Sequence, residues 1–245
     1  MYDYTAPPDL LQGRIILITG AGRGIGAAAA LSCAAHGAQV ILLGKTEANL
    51  IAVSQQIVSA GYATPTVIAF DLESAEPAHY QALADRLQVQ FGRLDGLLHN
   101  ASIIGPRTTL EQIAGEQFVQ VMHVNVNATF MLTSALLGLV KQATDGSVVF
   151  TSSSVGRKGR AEWGAYAVSK FATEGLMQTL ADELQGSRAR ANSVNPGATR
   201  TDMRALAYPD ENPTRNPLPA DIMPVYLYLL GPASQGVNGQ ALDAQ

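Results

Sequence analysis

Thr19-Gly20-Ala21-Gly22-Arg23-Gly24-Ile25-Gly26 decides how this chain is read. The run before it, Arg14 to Thr19, is apolar and β-branched and is ended by Gly20, which predicts a buried strand. Residues 24–36 after it have a helical pattern and stop at Gly37. Strand, glycine-rich turn and helix make a first βα unit, and the same rhythm runs on through the chain. Further strands are predicted at 39–43, 66–70, 94–99, 147–152, 190–194 and 240–243, and helices at 47–60, 78–91, 115–138, 162–184 and 220–230.

Continuous apolar strands that alternate with helices imply a parallel sheet covered on both faces. Right-handed crossovers then wind it in two halves. The predicted fold is α/β, a Rossmann-type doubly wound parallel sheet of about seven strands with helices on both faces. No composition shift marks a boundary, so 1–245 reads as one domain with an N-terminal arm at 1–10. The Pro-rich stretch 196–219 interrupts the rhythm, and its length predicts a substrate-lid loop.

Glycines between a strand and a helix let backbone N–H groups approach an anion at the helix N-terminus. Gly22, Gly24 and Ala27 meet the dinucleotide pattern G-x-G-x-x-G/A in the first βα unit. The turn is therefore expected to hold a dinucleotide coenzyme through Gly20, Gly22, Arg23, Gly24, Ile25 and Gly26. The end of the second strand decides which one. A binder of the unphosphorylated coenzyme carries Asp or Glu there for the ribose 2′-OH. This chain has Gly44-Lys45-Thr46. Lys45 and Arg23 are placed to meet a 2′-phosphate, so NADP(H) is expected over NAD(H).

The bulk numbers narrow the field. The chain is 47% hydrophobic and 15% charged, enough apolar residues for a large core. Its net charge of −4 argues against a nucleic-acid binder. Cys33 is the only cysteine, which suits a reducing compartment, and a cytoplasmic location is expected. Met1 to Asp9 has neither a basic nor an apolar region of the secretory kind. Ala128 to Val140 is apolar but too short to cross a bilayer, and reads as a buried helix. The 4 His, at 36, 79, 99 and 123, lack metal-ligand spacing, so no metal is expected.

Tyr166 and Lys170 are four residues apart, on one face of the predicted helix 162–184. From 8 Tyr and 4 Lys in 245 residues, chance yields about 0.13 such pairs. An ammonium near a phenol favours the phenolate, so Lys170 is expected to lower the Tyr166 pKa and make a proton donor and acceptor. Ser153 lies thirteen residues upstream, in a run of three serines.

Together these features resemble the short-chain dehydrogenase/reductase family, over Leu11 to about Asp243. The resemblance is nearest to its single-domain, NADP-dependent bacterial oxidoreductases. Thr19 to Gly26 is similar to the family's T-G-x-x-x-G-x-G turn, with Gly20, Gly24 and Gly26 in the glycine places. Asp71-Leu72 resembles the pair that contacts adenine, and His99-Asn100-Ala101-Ser102 resembles N-N-A-G. Asn125 matches the helix asparagine, Ser153 with Gly156 the catalytic serine, and Tyr166 with Lys170 the Y-x-x-x-K motif. Pro196 and Gly197, with Thr199 and Thr201, resemble the segment that holds the nicotinamide carboxamide. Three departures stand out: His99 and Ser102 in the N-N-A-G loop, Thr199 where a branched apolar residue is common, and no glycine pair near Asp243. The last puts a tetramer interface at that end in doubt.

The resemblance implies hydride transfer between a nicotinamide and a carbonyl or secondary alcohol. Tyr166 would move the proton, Lys170 would also hold the nicotinamide ribose, and Ser153 would hydrogen-bond the substrate oxygen. Asn125 would kink its helix and hold a water that links Lys170 to solvent. Asn100, Ala101 and Ser102 would lie along the coenzyme. It also implies a homodimer or homotetramer paired through helices 115–138 and 162–184. Two alternatives stay open: an NADP(H)-binding sensor or scaffold with little turnover, and a non-redox dehydratase or epimerase. Arg157, Lys158, Arg160 and Trp163 could attract an anionic substrate, but the preferred reading is a basic surface loop. Met203, Arg204, Leu206 and Tyr208 are expected on the lid.

Overall fold

The computed structural model describes residues 1–245. Seven strands form one parallel sheet: Ile15–Thr19 (β1), Gln39–Gly44 (β2), Thr66–Ala69 (β3), Gly96–His99 (β4), Gly146–Thr151 (β5), Ala189–Asn195 (β6) and Ala241–Asp243 (β7). Their order is 3-2-1-4-5-6-7, so winding reverses between β1 and β4. Ligands of doubly wound sheets sit outside the carboxyl ends of the strands at such a reversal.

Strand residues alternate between two cores, as the pleat requires. Ile16, Ile18, Val40 and Leu42 pack with Gly24–Ala35 (α1), Glu47–Ser59 (α2) and Met223–Leu230 (α8). Ile15, Leu17, Ile41 and Leu43 pack with Pro77–Phe91 (α3), Ala128–Gln142 (α5) and Gly164–Glu183 (α6). Gly115–Met122 (α4) leads into α5 through a π-helical turn, His123–Asn127, and Asp202–Ala207 (α7) lies in the expected lid.

The helix expected at 115–138 runs without a break from Gly115 to Gln142, 28 residues. That length and apolarity would span a bilayer, but Ala128, Leu132, Leu136, Leu139 and Val140 are buried in the core. The N-terminal arm is held down: the Tyr2 backbone N–H donates to the Ala244 carbonyl at 2.9 Å, and the Tyr2 and Tyr4 rings pack on Tyr228.

At the amino ends of the strands lies a buried ionic network. Asp145 accepts from Arg14 Nη1 at 2.9 Å and from Arg190 Nη1. Arg190 also donates to the Leu229 and Gly231 carbonyls, and Arg14 to the Asp95 carbonyl. It ties β1, β5, β6 and α8 together at the end of the sheet opposite the cleft.

Candidate active site

The carboxyl ends of the strands open into a cleft of about 630 Å³. Gly20, Gly22, Arg23, Gly24 and Ile25 form one wall. Gly26 is not on that surface; it lets helix and turn touch. A Cβ at Gly26 would sit 2.2 Å from the Gly20 carbonyl oxygen and 2.7 Å from Asn100 Nδ2. Gly20 has φ +65° and its absent Cβ would press on Ala101. Thr19 joins the two loops: its hydroxyl accepts from the Asn100 and Ala101 backbone N–H groups, both at 2.9 Å. Asn100, Ala101 and Ser102 then line the cleft. His99 takes no part in that lining. It is buried, stacks on Phe150 and bonds Thr133 through Nε2, and burial pushes its pKa down to about 3. It is a neutral core histidine.

Lys45, Asp71 and Leu72 line the far end of the cleft. Lys45 Nζ lies 3.2 Å from both Asp71 Oδ2 and Glu73 Oε2, and these hydrogen bonds raise its pKa. Arg23 faces Asp202 loosely at 3.7 Å, with both side chains mostly exposed. Glu73, and Gln120 which donates to it, were not expected here. Nothing in the sequence separates them from surface residues, except that Glu73 follows Asp71 by two.

Tyr166 lines the cleft near Thr151, Ser152 and Pro196. Ser153 caps the short 3-10 turn Ser154–Gly156 and accepts from the Val155 N–H. Gly156 allows this loop to lie against α6: a Cβ there would meet the Lys170 backbone at 2.9 Å. Lys170 is buried and donates to the Thr151 carbonyl at 2.8 Å, with Nζ 5.4 Å from the Tyr166 ring centroid.

The expectation that Lys170 lowers the Tyr166 pKa is corrected here. Burial pushes the phenol up to about 12, and only the Ser153 hydroxyl beside it opposes the rise. Burial also drives Lys170 down to about 8, while Glu174, one turn on, opposes that fall. Desolvation dominates both groups, and the one hydrogen bond of the Lys170 ammonium goes to the Thr151 carbonyl instead of the phenol. Tyr166 thus holds its proton throughout the neutral range, the state needed to give one up to a substrate.

Asn125 sits within the π-helical turn, a larger distortion than the expected kink. Its amide is engaged on both sides: Oδ1 accepts from the Ile103 N–H at 2.8 Å, and Nδ2 donates to the Ile103 carbonyl and to Ser169 Oγ. It locks the loop after β4 to α6, beside Lys170.

The segment after β6 is only partly in the cleft. Pro196 and Thr201 line it; Gly197 and Thr199 do not. Gly197 lies under the Gln245 side chain, whose amide donates to the Pro196 carbonyl at 2.6 Å. Thr199 is buried and its hydroxyl turns to the same carbonyl. The segment expected to be a lid is braced internally: Arg204 makes two 2.6 Å bonds to Glu211, and Arg200 bonds the Pro213 and Asn216 carbonyls. Arg157 is drawn to Asp243 at 2.8 Å and the Leu242 carbonyl, so it holds β7 and is not a substrate cation.

The chain belongs to the short-chain dehydrogenase family, whose model matches residues 14–212, and it is an oxidoreductase of that family. It is similar to the uncharacterized oxidoreductase YciK of Escherichia coli K12, 52% identical over 99% of this chain and 96% of that one. A short chain dehydrogenase from Pseudomonas syringae superposes with a TM-score of 0.99, at 71% identity and 100% coverage of both chains. A structure from Escherichia coli CFT073, complexed with NADPH, superposes at 0.96 with 52% identity, covering 98% of this chain and 99% of that one.

Proposed function

We propose that the chain is an NADP(H)-dependent oxidoreductase acting on a carbonyl or secondary alcohol, with Tyr166 as its proton donor and acceptor. The observation that carries this is Tyr166, buried yet lining a cleft that begins at a helix N-terminus of glycines. The cleft fits the coenzyme on three counts. The Gly24 end of α1 offers unpaired N–H groups to an anion, Arg23 and Lys45 stand where a phosphate would add charge, and Ser152 Oγ is buried on the wall without a partner. NADP(H) over NAD(H) rests on Lys45, on the lack of a carboxylate at the end of β2, and on the NADPH carried by the similar structure.

When bound, the coenzyme supplies or takes up a hydride. In reduction, Tyr166 hands its proton to the carbonyl oxygen, so that C=O becomes CH–OH, and the phenolate is reprotonated from solvent. Ser153 donates to the same oxygen and steadies its developing charge. In this reading Lys170, tied to Thr151, keeps its ammonium near the phenolate and also holds the ribose hydroxyls, a role supported by the family likeness. Asn125 holds the Ile103 loop and α6 in register.

The test is an absorbance assay of nicotinamide oxidation with NADPH and with NADH over a panel of carbonyl compounds. Turnover should be faster with NADPH, and Lys45→Glu should cut that preference at least about tenfold, since it replaces an attracted charge by a repelled one. Equal use of both coenzymes would remove the NADP(H) assignment. Net oxidation of coenzyme matched to alcohol formed separates this reading from a sensor or an epimerase. The single buried thiol, Cys33, supports a reducing, cytoplasmic setting. Exposed Phe130, Val168 and Phe171 on α5 and α6 support a homodimer or homotetramer, which a monomer mass in sedimentation equilibrium would contradict.

A further inference from the structure

The chemistry of the substrate end of the cleft is set by what surrounds Tyr166. Val155, Trp163, Ala167 and Ala207 are buried against it, and Ile104, Met203 and Tyr208 pack on them. Ile103, Ile104, Met203 and Leu206 face the open cleft beside Tyr166, and Leu206 is 73% exposed at the rim.

Cations are near but occupied. Arg107 lies between two rings, 5.0 Å from the Trp163 centroid and 4.9 Å from that of Tyr208. Its nitrogens reach the Ala207 carbonyl and Glu162, the latter at 3.1 Å. A bridge between Thr108 and Trp163 lies beside it. Arg107 thus joins three segments into one wall: the loop after β4, the approach to α6, and the lid. Arg204 is paired with Glu211 and lies over the Tyr208 ring, 3.8 Å from its centroid. Arg160 donates to the Tyr208 hydroxyl.

The charged side chains that line the cleft are Arg23, Lys45, Asp71, Glu73 and Asp202. The two cations among them already face the three carboxylates. A carboxylate brought to this wall of Ile104, Met203 and Leu206 would lose its water and meet no cation on it, which is costly. An apolar group would cover Ile104, Met203 and Leu206 and gain.

We propose that the site takes a neutral, apolar carbonyl compound, an aryl or branched-alkyl aldehyde or ketone, and rejects its anionic counterpart. This rests on the oxidoreductase reading above. Arg107 is a positioning residue that builds the wall and does not meet the substrate as a charge.

The test uses the whole chain loaded with NADP⁺ and isothermal titration calorimetry with para-methylbenzyl alcohol and its para-carboxylate analogue. The neutral alcohol should bind at least about tenfold more tightly. Met203→Lys, on the partly exposed lid helix, should narrow or reverse that ratio. Equal or tighter binding of the carboxylate by the unaltered chain overturns the proposal. So does failure of both to bind, or a ratio that the new lysine leaves unmoved. Turnover is scored separately with para-methylbenzaldehyde and NADPH. Selective binding of the neutral compound without turnover leaves the substrate class standing and sinks the oxidoreductase reading.

Discussion

Tyr166→Phe lowers kcat for carbonyl reduction toward the upper end of the ~10²- to 10⁴-fold range of general acid catalysis, with the melting temperature changed by only a few degrees. The substitution removes one hydroxyl. Its ring stays packed against Trp163 and Val155, so the wall survives. No other group in the cleft takes over. Ser153 Oγ is engaged with the Val155 N–H and is a poorer acid, and Lys170 points its ammonium to Thr151. Ser153→Ala should cost less, at most about 10²–10³, the loss typical of one donor to a developing oxyanion. The ordering matters more than either figure, because a packing role for Tyr166 would make the Phe variant harmless. Rapid-mixing measurement of NADPH absorbance in both variants, with calorimetry as the folding control, reads it.

The second large effect is on stability and lies at the other end of the sheet. Asp145→Asn should cost about 3–5 kcal/mol, because it leaves the Arg14 and Arg190 guanidinium groups buried without a counter-charge. Their side chains are 12% and 5% exposed, and that of Asp145 is 9%. Burial lowers the Arg190 pKa even with Asp145 in place, so desolvation there is already severe. The substitution keeps side-chain volume, so no cavity confuses the result. For a chain of this length the cost corresponds to a fall in Tm on the order of 10 °C. KM and kcat of the protein that remains folded should hold, since the cleft is at the opposite ends of the strands. An unchanged Tm would mean that Arg14 and Arg190 find enough solvent or backbone to do without Asp145.

These two sites divide the labour of the sheet. Paired charges fasten the amino ends of β1, β5 and β6, while the carboxyl ends carry glycines, unpaired backbone donors and the Tyr166 hydroxyl. That division follows from parallel topology, which puts all the chain reversals of one kind at one end.

What could be read in advance divides along physical lines. The strand Ile15–Thr19 and the turn after it were legible because a continuous apolar run and closely spaced glycines have few other uses. Tyr166 and Lys170 were legible because one helical turn brings residues four apart together whatever surrounds them. The direction of the Tyr166 shift was not, because it depends on burial by Trp163, Val155 and the lid, and no local spacing encodes that. The π-helical turn at Asn125 was foreseen only as a slight kink. Val124-Asn125-Val126-Asn127 reads as ordinary helix, and the wider turn is tied to the Asn125 amide gripping Ile103 and Ser169. Arg107 and Asp145 went unnoticed for a related reason. In sequence each is one charged residue among many, and its partners lie 45 to 131 positions away. Arg157 and Arg160 attracted attention by clustering, yet Arg157 is spent on β7 and Arg160 bonds Tyr208.

In the proposed reaction a proton from Tyr166 and a hydride from NADPH reach one carbonyl. The most direct measurement is the stoichiometry of NADPH consumed and alcohol formed from a neutral aryl aldehyde, by absorbance and chromatography, in the unaltered chain and in Tyr166→Phe. Equal amounts of each are expected in the unaltered chain, and a loss of both together in the variant. Alcohol formed at an undiminished rate by Tyr166→Phe, or coenzyme bound beside aldehyde with neither consumed, would contradict it.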